Sequence, residues 1–436
     1  MNMSIDHKPE RYYAKAIISL DDATPCLVRG WLEDVRPIGK ITFITLRDST
    51  GLSQVVLSKK VIGDEAFNQA NNANKQSIIE VTGKIQKSRS PNVPKEILAE
   101  RFTLLSQSKP PFSIDPTGRV PSSLEKRLDA RALDLRNPKV LSIFKIRHTV
   151  LKSIRKTLCN LNFVEVNTPK LIGQAAEGGA NLFSLPYFDK QAYLAQSPQL
   201  YKEQLTMSLE KVFEIAPYFR AEKSHTLRHV CEFTSLDVEA AFIDEFEAMD
   251  LAEEVIHNVL GDVNKENPEE LLILGVKLSI PNRPYARISY SEAILKLNDK
   301  GKKLEWGDDL ETYDLRELGR IHKEFYFLYD WPISIKPFYI ERRNHRIAKS
   351  FDLMYGYLEL ASGGKRVDKR EELEKRLIQQ NLDLKEFESH LVTFDYGMPP
   401  HSGWAIGVDR LVMVLTRQKN IREAILFPRD TKRLRP

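Results

Sequence analysis

The stretch GWAIGVDRLVMVL, residues 403–415, decides how this sequence folds. Small and apolar residues lead to a glycine turn at Gly407, and the apolar run that follows predicts a helix that begins near Val408. This pattern places Arg410 just inside the helix. Taken alone, such an arginine is usually a solvated residue of the first helical turn, so its meaning depends on the other segments of the chain.

Three further segments carry polar side chains of kinds that metabolic chemistry uses, within otherwise apolar strands. They are residues 177–179 with 196–202, residues 219–237, and residues 359–366. Arg220 and Glu222 lie two apart on a predicted strand, the spacing of a salt-bridged pair on one sheet face. Glu359 lies in a predicted apolar strand, where its ordinary structural interpretation is a buried carboxylate that pairs with an arginine. Each segment has an ordinary structural interpretation, but together they are far more specific.

Residues 26–105 have the pattern of short strands separated by turn residues. The predicted strands cover residues 26–35, 41–47, 53–57, 78–85 and 97–105, and a helix over residues 63–73 follows the third strand. This layout predicts a small OB-type β-barrel, a fold that often binds single-stranded nucleic acid. From these residues alone, a five-stranded barrel without a ligand is the alternative.

A proline-rich stretch without periodicity follows the barrel and predicts a linker. We expect domains at residues 1–107 and 131–436, with the linker at residues 108–130. A long helix begins after Asn137 as its cap, with Pro138 in the first turn. Strand patterns cover residues 163–169, 212–215, 233–239 and 357–360, and a second long helix covers residues 246–260. Without regular βαβ alternation, this mixture favours an α+β domain on a mainly antiparallel sheet.

The composition excludes several classes of protein. The 436 residues are 42% hydrophobic with a formal charge of +5, which excludes disordered, collagen-like and fibrous chains and requires any nucleic-acid contact to be local. Three cysteines without a CxxC pair favour reduced thiols and a cytoplasmic location. No signal-peptide pattern or membrane-spanning run is present, so we expect a soluble protein. P-loop, Rossmann, HExxH and GxSxG motifs are absent from the sequence.

Taken together, the polar segments resemble the three motifs of class II aminoacyl-tRNA synthetases. Residues 163–169 resemble motif 1, residues 219–237 motif 2 and residues 403–415 motif 3, in the order and spacing of the family. The barrel resembles the anticodon-binding domain of the aspartyl, asparaginyl and lysyl subgroup, and the short archaeal-type aspartyl enzymes are the most similar. The resemblance implies an α+β fold, in which an N-terminal OB-fold β-barrel precedes a class II catalytic domain whose antiparallel sheet is flanked by helices.

This resemblance implies ATP-dependent activation of L-aspartate to aspartyl-adenylate and transfer to tRNA(Asp); whether tRNA(Asn) is also charged stays open. It further implies Mg²⁺ as the cofactor and a homodimer with Pro169 at the subunit interface. There are three alternatives: an asparaginyl-tRNA synthetase, an ammonia-using asparagine synthetase, and a non-catalytic tRNA-binding paralogue. Residues 222–229 and 306–309 resemble asparaginyl enzymes as much as aspartyl ones, which supports the first alternative. The barrel argues against the second alternative. The presence of Arg220, Glu359 and Arg410 argues against the third.

Carried over residue by residue, the resemblance implies an ATP site with magnesium ligands. The ATP-binding residues are Arg220, Glu222, Arg228, His229, Phe233, Glu359 and Arg410, of which Arg220, Glu222 and Arg410 are catalytic. Planar guanidinium groups suit phosphate and carboxylate. Phe233 would offer adenine an apolar face opposite Arg410, and Glu222 would accept a hydrogen bond from the adenine amino group. Glu359 and Ser362 would be the Mg²⁺ ligands, since hard oxygen donors suit that ion.

The implied amino-acid-binding residues are Glu177, Gln199, Lys202, Arg220, Asp237, Ser362 and Arg366. Lys202 and Arg366 would form a doubly cationic pocket for a side-chain carboxylate, and the asparaginyl relatives have an apolar residue at the position of Lys202. One charge pair at about 4 Å is worth about 4 kcal/mol at an effective dielectric constant of about 20, before desolvation. Glu177, Gln199 and Asp237 would face the ammonium and backbone side of the substrate.

In the barrel, the resemblance implies that Phe43 stacks on the central anticodon base and that Gln54 hydrogen-bonds to it. Stacking of a splayed base on an aromatic ring is the usual way in which proteins bind single-stranded RNA loops. Without the resemblance, a core phenylalanine and a surface glutamine are equally good interpretations.

Overall fold

The computed structural model describes residues 9–91, 93–173, 182–223 and 226–435. The chain divides into two compact units, residues 1–115 and 116–436, and the division falls within the stretch predicted as a linker. Part of that stretch is helical, because the Ser123 side chain accepts a hydrogen bond from the backbone N–H of Lys126 and caps the helix Leu124–Asp129. The limits of the domains stay predictions.

The first unit is a closed five-stranded barrel, as the strand pattern predicts. Its strands are β1 (Pro25–Ile38), β2 (Ile41–Arg47), β3 (Leu52–Ser58), β4 (Ile78–Lys87) and β5 (Lys95–Ser106), and its helices are α1 (Ala14–Ile17), α2 (Lys59–Ile62) and α3 (Asp64–Asn72). The strand order is β1-β2-β3-β5-β4, and α2 and α3 follow the third strand. Alternate residues of the strands, including Ile44, Leu46, Val55 and Leu57, are fully buried in the barrel core.

An eight-stranded sheet forms the centre of the second unit. Its strands are β6 (Val164–Glu165), β10 (Lys211–Phe219), β11 (Glu232–Ala241), β12 (Ala286–Ser289), β13 (Phe325–Tyr329), β14 (Ser350–Tyr355), β15 (Leu358–Lys365) and β16 (His401–Gly407). The order is β12-β13-β14-β15-β16-β11-β10-β6, and all pairs are antiparallel except the two at the edges. A small antiparallel sheet contains β7 (Leu171–Ile172), β8 (Ser184–Tyr187) and β9 (Lys190–Leu194). The predicted α+β architecture is confirmed.

Eleven α-helices are described in the second unit. They are α4 (Leu124–Asp129), α5 (Arg131–Asp134), α6 (Pro138–Asn160), α7 (Gln199–Leu209), α8 (Glu245–Glu266), α9 (Pro268–Leu274), α10 (Tyr290–Asp299), α11 (Thr312–Ile321), α12 (Arg370–Gln379), α13 (Glu388–Phe394) and α14 (Val408–Leu415). Short 3₁₀ helices cover Ile333–Ile335, Leu384–Phe387 and Ile421–Ala424. Within the described ranges, none of the helices has the length and apolar character needed to cross a membrane.

Two long helices, α6 and α8, pack in the main hydrophobic core. The Asn137 side chain caps α6 by accepting from the N–H of Lys139, and Pro138 is the first helical residue, both as predicted. Residues at three- and four-residue spacing on α6, namely Ile143, Ile146, Val150, Ile154 and Leu158, are buried in the same core as Val255, Ile256, Val259 and Val263 of α8. These helices support the sheet.

The prediction of a strand over residues 163–169 is wrong for most of that stretch, because only Val164–Glu165 pairs as a strand. The N–H of Val166 still donates to the main-chain oxygen of Phe213 at 2.9 Å, and after it side-chain hydrogen bonds replace the strand ladder. The N–H and hydroxyl groups of Thr168 donate to the Glu214 carboxylate at 2.8 and 2.7 Å, and Pro169 has no N–H to donate. The alternating pattern was therefore a poor guide to backbone pairing here.

Candidate active site

A cavity of about 210 Å³ opens where β11, β15 and β16 lie side by side near the first turn of α14. Every residue predicted to bind ATP lines it, and so do both predicted metal ligands, Glu359 and Ser362; the set is Arg220, Glu222, Arg228, His229, Phe233, Glu359, Arg410 and Ser362. These side chains come from three segments far apart in sequence, so the order of strands in the sheet creates the site.

Three arginine side chains approach one another in this cavity. Burial lowers the pKa of Arg410, the charges of Arg220 and Arg228 lower it further, and the Glu359 carboxylate opposes them. Arginine nevertheless stays protonated in proteins. An anion bound between these guanidinium groups would relieve their repulsion, and a triphosphate carries enough charge and enough oxygen atoms to contact all three.

Arg220 and Arg410 make different contacts in the cavity. The guanidinium carbon of Arg220 lies 5.3 Å from the centre of the Phe233 ring, within the range of a cation–π interaction. Arg410 donates from Nη1 to the main-chain oxygen of Glu359 at 2.6 Å. The resemblance places Arg410 opposite Phe233 across an adenine, whereas in this structure Arg220 is the guanidinium that lies at the ring.

A β-bulge at Leu360 brings Glu359 and Ser362 to the same face of β15. Glu359 pairs with Met354, and the next pair along the ladder skips Leu360. Residues three apart point to opposite faces of a regular strand, and one extra residue reverses this relation. Both predicted metal ligands therefore line the cavity.

Asp352, a residue that was not predicted from the sequence, lies directly opposite Ser362 on β14. It is buried, and its Oδ2 accepts from Lys336 Nζ at 3.1 Å, while its Oδ1 has no hydrogen-bond partner among the described residues. The only signal for Asp352 in the sequence was an aspartate inside the apolar run SFDLMY, residues 350–355. A buried carboxylate oxygen without a partner is costly unless a cation or a donor meets it.

The ionisation of Glu359 also points to a cation. Loss of solvent and then the charge of Asp352 raise the pKa of Glu359, although part of its side chain still reaches solvent. Two neighbouring carboxylates and the Ser362 hydroxyl fit a hard divalent ion such as Mg²⁺. In the described part of the chain, no three histidine, cysteine or acidic side chains lie close enough together to hold a metal ion. Phosphate oxygens and water would therefore complete the coordination of Mg²⁺.

Lys202 and Arg366, the two cations predicted to bind a side-chain carboxylate, meet at one buried carboxylate. Glu239 Oε2 lies 3.3 Å from Lys202 Nζ, and Glu239 Oε1 accepts from Arg366 Nε at 2.8 Å. Lys202 Nζ also donates to Asp237 Oδ1 at 3.2 Å. All four side chains belong to residues that are at most 2% exposed.

The expectation of a doubly cationic pocket is therefore wrong, because two carboxylates balance the two cations. The residue missing from that expectation is Glu239, which shares a face of β11 with Asp237 because the two are two residues apart. Burial acts against the charge of Arg366, but Glu239 outweighs it and raises the pKa of that arginine. Gly403 makes room for the same carboxylate, since a Cβ there would lie 2.2 Å from Glu239 Oε2.

Two further predicted amino-acid-binding residues lie on the same elements as this pocket, Asp237 on β11 and Gln199 on α7. Asp237 Oδ2 is buried and has no hydrogen-bond partner among the described residues, which suits an ammonium group. Gln199, the first residue of α7, donates from Nε2 to Glu203 Oε1 at 2.7 Å. Glu177, the remaining predicted ligand of the ammonium side, lies outside the described residues.

The loop between β10 and β11 is held by the last segment of the chain. Arg422 donates from Nη1 to the main-chain oxygen of Thr226 at 2.9 Å and from Nη2 to that of His229 at 3.2 Å. Its Nε pairs with Asp430 at 2.5 Å. Arg422 thus fixes the backbone on both sides of Arg228. A larger cavity of about 660 Å³ lies between this last segment and α4, but none of the predicted site residues lines it.

In the barrel, Phe43 and Gln54 fall in the set of strand residues that face outwards. Gln54 pairs across the strands with Thr45, two residues after Phe43, so the two side chains are diagonal neighbours. Gln54 Nε2 donates to the buried Glu96 at 2.6 Å, and the Arg36 guanidinium lies 5.2 Å from the Phe43 ring. A ring beside an oriented amide can stack with and hydrogen-bond to an unpaired base.

Known families match both units of the chain. The family model described as tRNA synthetases class II (D, K and N) matches residues 123–431, and the model described as OB-fold nucleic acid binding domain matches residues 26–105. The aspartate–tRNA(Asp/Asn) ligase of Methanocaldococcus jannaschii is 44% identical over 99% of this chain and 97% of its own length. The ligase of the same name from Methanothermobacter thermautotrophicus is 42% identical over 98% of both chains.

Solved structures with the same fold act on two amino acids. The asparaginyl-tRNA synthetase from Pyrococcus horikoshii, complexed with asparaginyl-adenylate, has a TM-score of 0.90 and 35% identity, covering 98% of this chain and 99% of that chain. The aspartyl tRNA synthetase from Entamoeba histolytica has a TM-score of 0.88 and 28% identity, covering 100% of this chain and 95% of that chain. The shared fold therefore does not by itself determine the choice of amino acid.

Proposed function

The chain belongs to the class II tRNA synthetases of the aspartate, lysine and asparagine group, and we propose that it ligates L-aspartate to tRNA(Asp) and to tRNA(Asn). In the first step an oxygen of the aspartate α-carboxylate attacks the α-phosphorus of ATP, and pyrophosphate leaves with the electrons of the broken bond. In the second, the terminal ribose hydroxyl of the tRNA loses its proton and attacks the acyl carbon, and AMP leaves. The full-length relatives named for both tRNAs support this scope.

Alignment of the reactants and neutralisation of charge are the main contributions that a protein can make to such a reaction. Arg220 would hold the α-phosphate together with the aspartate carboxylate, and Arg410 would bind the γ-phosphate. Glu222 would accept from the adenine amino group. Glu359, Ser362 and Asp352 would hold Mg²⁺, which supplies charge neutralisation at the phosphate oxygens when bound.

The observation that carries the choice of aspartate is the buried pair of donors, Lys202 and Arg366, at the same end of the pocket. Both side chains can only donate hydrogen bonds. Lys202 uses one of its three N–H groups on Asp237 and also forms an ion pair with Glu239, and Arg366 uses two of its five on Glu239. The remaining donors are satisfied by a carboxylate with two accepting oxygens, whereas the NH₂ group of an asparagine side chain would face them as another donor.

The second candidate, an asparaginyl-tRNA synthetase, is favoured by the balance of two cations and two carboxylates in the pocket. Exchange of labelled pyrophosphate into ATP, with aspartate and asparagine assayed separately and without tRNA, distinguishes the two. We expect exchange with aspartate only. Exchange with asparagine only would contradict the proposal and establish the second candidate. Charging of tRNA(Asp) and tRNA(Asn) transcripts then tests the two-tRNA specificity.

We further propose that the enzyme is a cytoplasmic homodimer. The segment that resembles motif 1 supports the dimer, because its Val164 and Pro169 are exposed apolar residues at the edge of the eight-stranded sheet. Exposed apolar groups that follow a sheet edge commonly mark an interface. The cytoplasmic location follows from the substrates, since tRNA and ATP are used there.

Replacing Phe43 by alanine should separate tRNA recognition from amino-acid activation. We expect charging of both tRNAs to fall about tenfold to a hundredfold, because stacking of one base on an aromatic ring is worth about 1–3 kcal/mol. Pyrophosphate exchange without tRNA should keep its wild-type rate. Leu105→Ala, at another exposed apolar position of the barrel, serves as the control. Equal loss of exchange and charging would contradict the anticodon role.

The Mg²⁺ requirement should depend on pH through Glu359. A cation must displace the proton from this carboxylate, whose pKa is raised by loss of solvent and by Asp352. We therefore expect the half-saturating Mg²⁺ concentration for exchange to fall as the pH rises through the raised pKa, in a titration from about pH 4.5 to about pH 7.5. Without Mg²⁺, the free energy of unfolding should decrease over the same interval, because the folded state holds the extra proton. A Mg²⁺ requirement independent of pH would argue against Glu359 as a ligand.

A further inference from the structure

A buried carboxylate behind Gln199 has no part in the steps described above. Glu203, on α7, is fully buried, and its Oε2 lies 3.4 Å from His390 Nε2 and 3.6 Å from His401 Nε2. Both histidines are at most 1% exposed. The other oxygen, Oε1, accepts the hydrogen bond from Gln199 Nε2 at 2.7 Å. Glu203 thus connects the two histidines to a side chain at the amino-acid pocket.

The position of the protons follows from the groups around His401. Its Nδ1 lies 2.8 Å from the main-chain oxygen of Pro399, and a carbonyl oxygen can only accept, so Nδ1 carries a proton. Its Nε2 faces the Glu203 carboxylate, which attracts it only if Nε2 is protonated too. Burial opposes this second proton, but Glu203 outweighs burial and raises the pKa of His401. The raised pKa favours the imidazolium form of His401, whose Nε2 lies 3.6 Å from Oε2 of Glu203.

The other groups that face this pair are consistent with the same assignment. His390 Nδ1 lies 3.2 Å from Gln204 Nε2 and accepts from that amide, so its proton is on Nε2 and faces Glu203. Glu239, on β11, also favours the charged form of His401, and Arg366 favours the ionised form of Glu203. The histidines hold the pKa of Glu203 well below its usual range despite burial.

We propose that Glu203 is a positioning residue that orients the Gln199 amide for recognition of the substrate ammonium group; this rests on the proposed function. An ionised carboxylate can only accept hydrogen bonds, so it selects the NH₂ end of the amide. The amide oxygen of Gln199 is then the end left for the substrate. An ammonium group can only donate, and therefore needs that oxygen. Without the charge on Glu203, either end of the amide can face the ammonium group.

The first test is Glu203→Gln, which keeps the shape of the side chain and removes its charge. We expect the KM for aspartate in pyrophosphate exchange to rise about tenfold, the effect of one lost hydrogen bond to a charged group, with the KM for ATP unchanged. Glu210→Gln, at the exposed C-terminal end of the same helix, is the matched control and should behave as wild type. An equal rise in both KM values would show a general structural effect and overturn the proposal.

A double-mutant cycle with Gln199→Ala tests whether Glu203 acts through Gln199. If it does, the double variant should have the same KM for aspartate as Gln199→Ala alone. Effects that multiply would overturn the proposal, as would a Glu203→Gln variant with an unchanged KM for aspartate. Absence of aspartate-dependent exchange in the wild-type enzyme would instead contradict the proposed function, so the two failures are distinguishable.

If Glu203→Gln does not fold, the wild-type enzyme provides the same test through its pH profile. A rise in pH through the raised pKa of His401 removes the proton of that histidine but leaves Glu203 ionised, so the Gln199 amide should keep its orientation and the KM for aspartate should stay constant. The KM for ATP should stay constant over that interval. A KM for aspartate that rises over this interval, with the KM for ATP constant, would show that the His401 proton and not the charge on Glu203 orients the amide, and would overturn the proposal.

Discussion

Arg220→Ala should lower aspartate-dependent pyrophosphate exchange by about 10³-fold, the upper range for removing one group that stabilises charge in a transition state. Arg220 is one of three arginines that line the cavity of about 210 Å³ proposed to bind ATP, the nucleotide cavity, and it is the one assigned to both reacting groups, the α-phosphate and the carboxylate. Its described side-chain contact is with the Phe233 ring, so the fold should survive the change. The measurement is the exchange rate at saturating aspartate and ATP, with the melting temperature measured in parallel.

Two further variants make this result specific. Arg220→Lys keeps the charge but loses the planar fork, and we expect it to recover only part of the lost rate. Arg320→Ala removes a guanidinium whose side chain is 73% exposed and lies outside the cavity, and it should leave exchange unchanged. An Arg220→Ala enzyme with the exchange rate of Arg320→Ala would show that Arg220 does not touch the reacting groups.

The second large effect is expected from Lys202→Leu, which should lower kcat/KM for aspartate by about 150- to 4,000-fold, the cost of removing one partner of a buried charge, about 3–5 kcal/mol. The KM for ATP should not change, because Lys202 does not line the nucleotide cavity. Glu239 keeps Arg366 as its partner in this variant, whereas Asp237 loses the ammonium group beside it. Unchanged aspartate kinetics would refute the assignment of the pocket.

Lys156→Leu is the matched control for this variant, since that side chain is 60% exposed and belongs to α6. The free energy of unfolding must be measured for both variants, because Lys202→Leu also leaves buried negative charge less well compensated. A decrease in stability with unchanged kcat/KM for aspartate would mean that Lys202 has only a structural role.

Features set by neighbouring residues along the chain were predictable from the sequence. The barrel strands alternate with one buried face, and the helix α6 begins with a cap and a proline, so local pattern and local structure agree. The resemblance to motifs 2 and 3 also selected the residues that the structure brings together in the nucleotide cavity. Those residues belong to the segment between β10 and β11, to β11 and β15, and to the first turn of α14.

Residues whose role depends on partners far along the chain were not predictable. Glu239 neutralises Lys202 and Arg366, and this requires three segments to meet at one buried point. Arg422 binds main-chain oxygens of a distant loop, and main-chain acceptors leave no mark in a sequence. The strand predicted over residues 163–169 failed for a related reason, because a distant carboxylate, Glu214, takes the hydrogen bonds of Thr168.

The bulge at Leu360 has a consequence for how this enzyme can vary during evolution. Substitutions in β15 change one side chain at a time, but deletion of a single residue between Glu359 and Ser362 would turn one of them away from the nucleotide. The number of residues in this strand is therefore under selection independently of their identity. Insertions should instead accumulate in the segment between α9 and β14. None of its residues lines the cavity, so the length of this segment does not determine which side chains face the cavity.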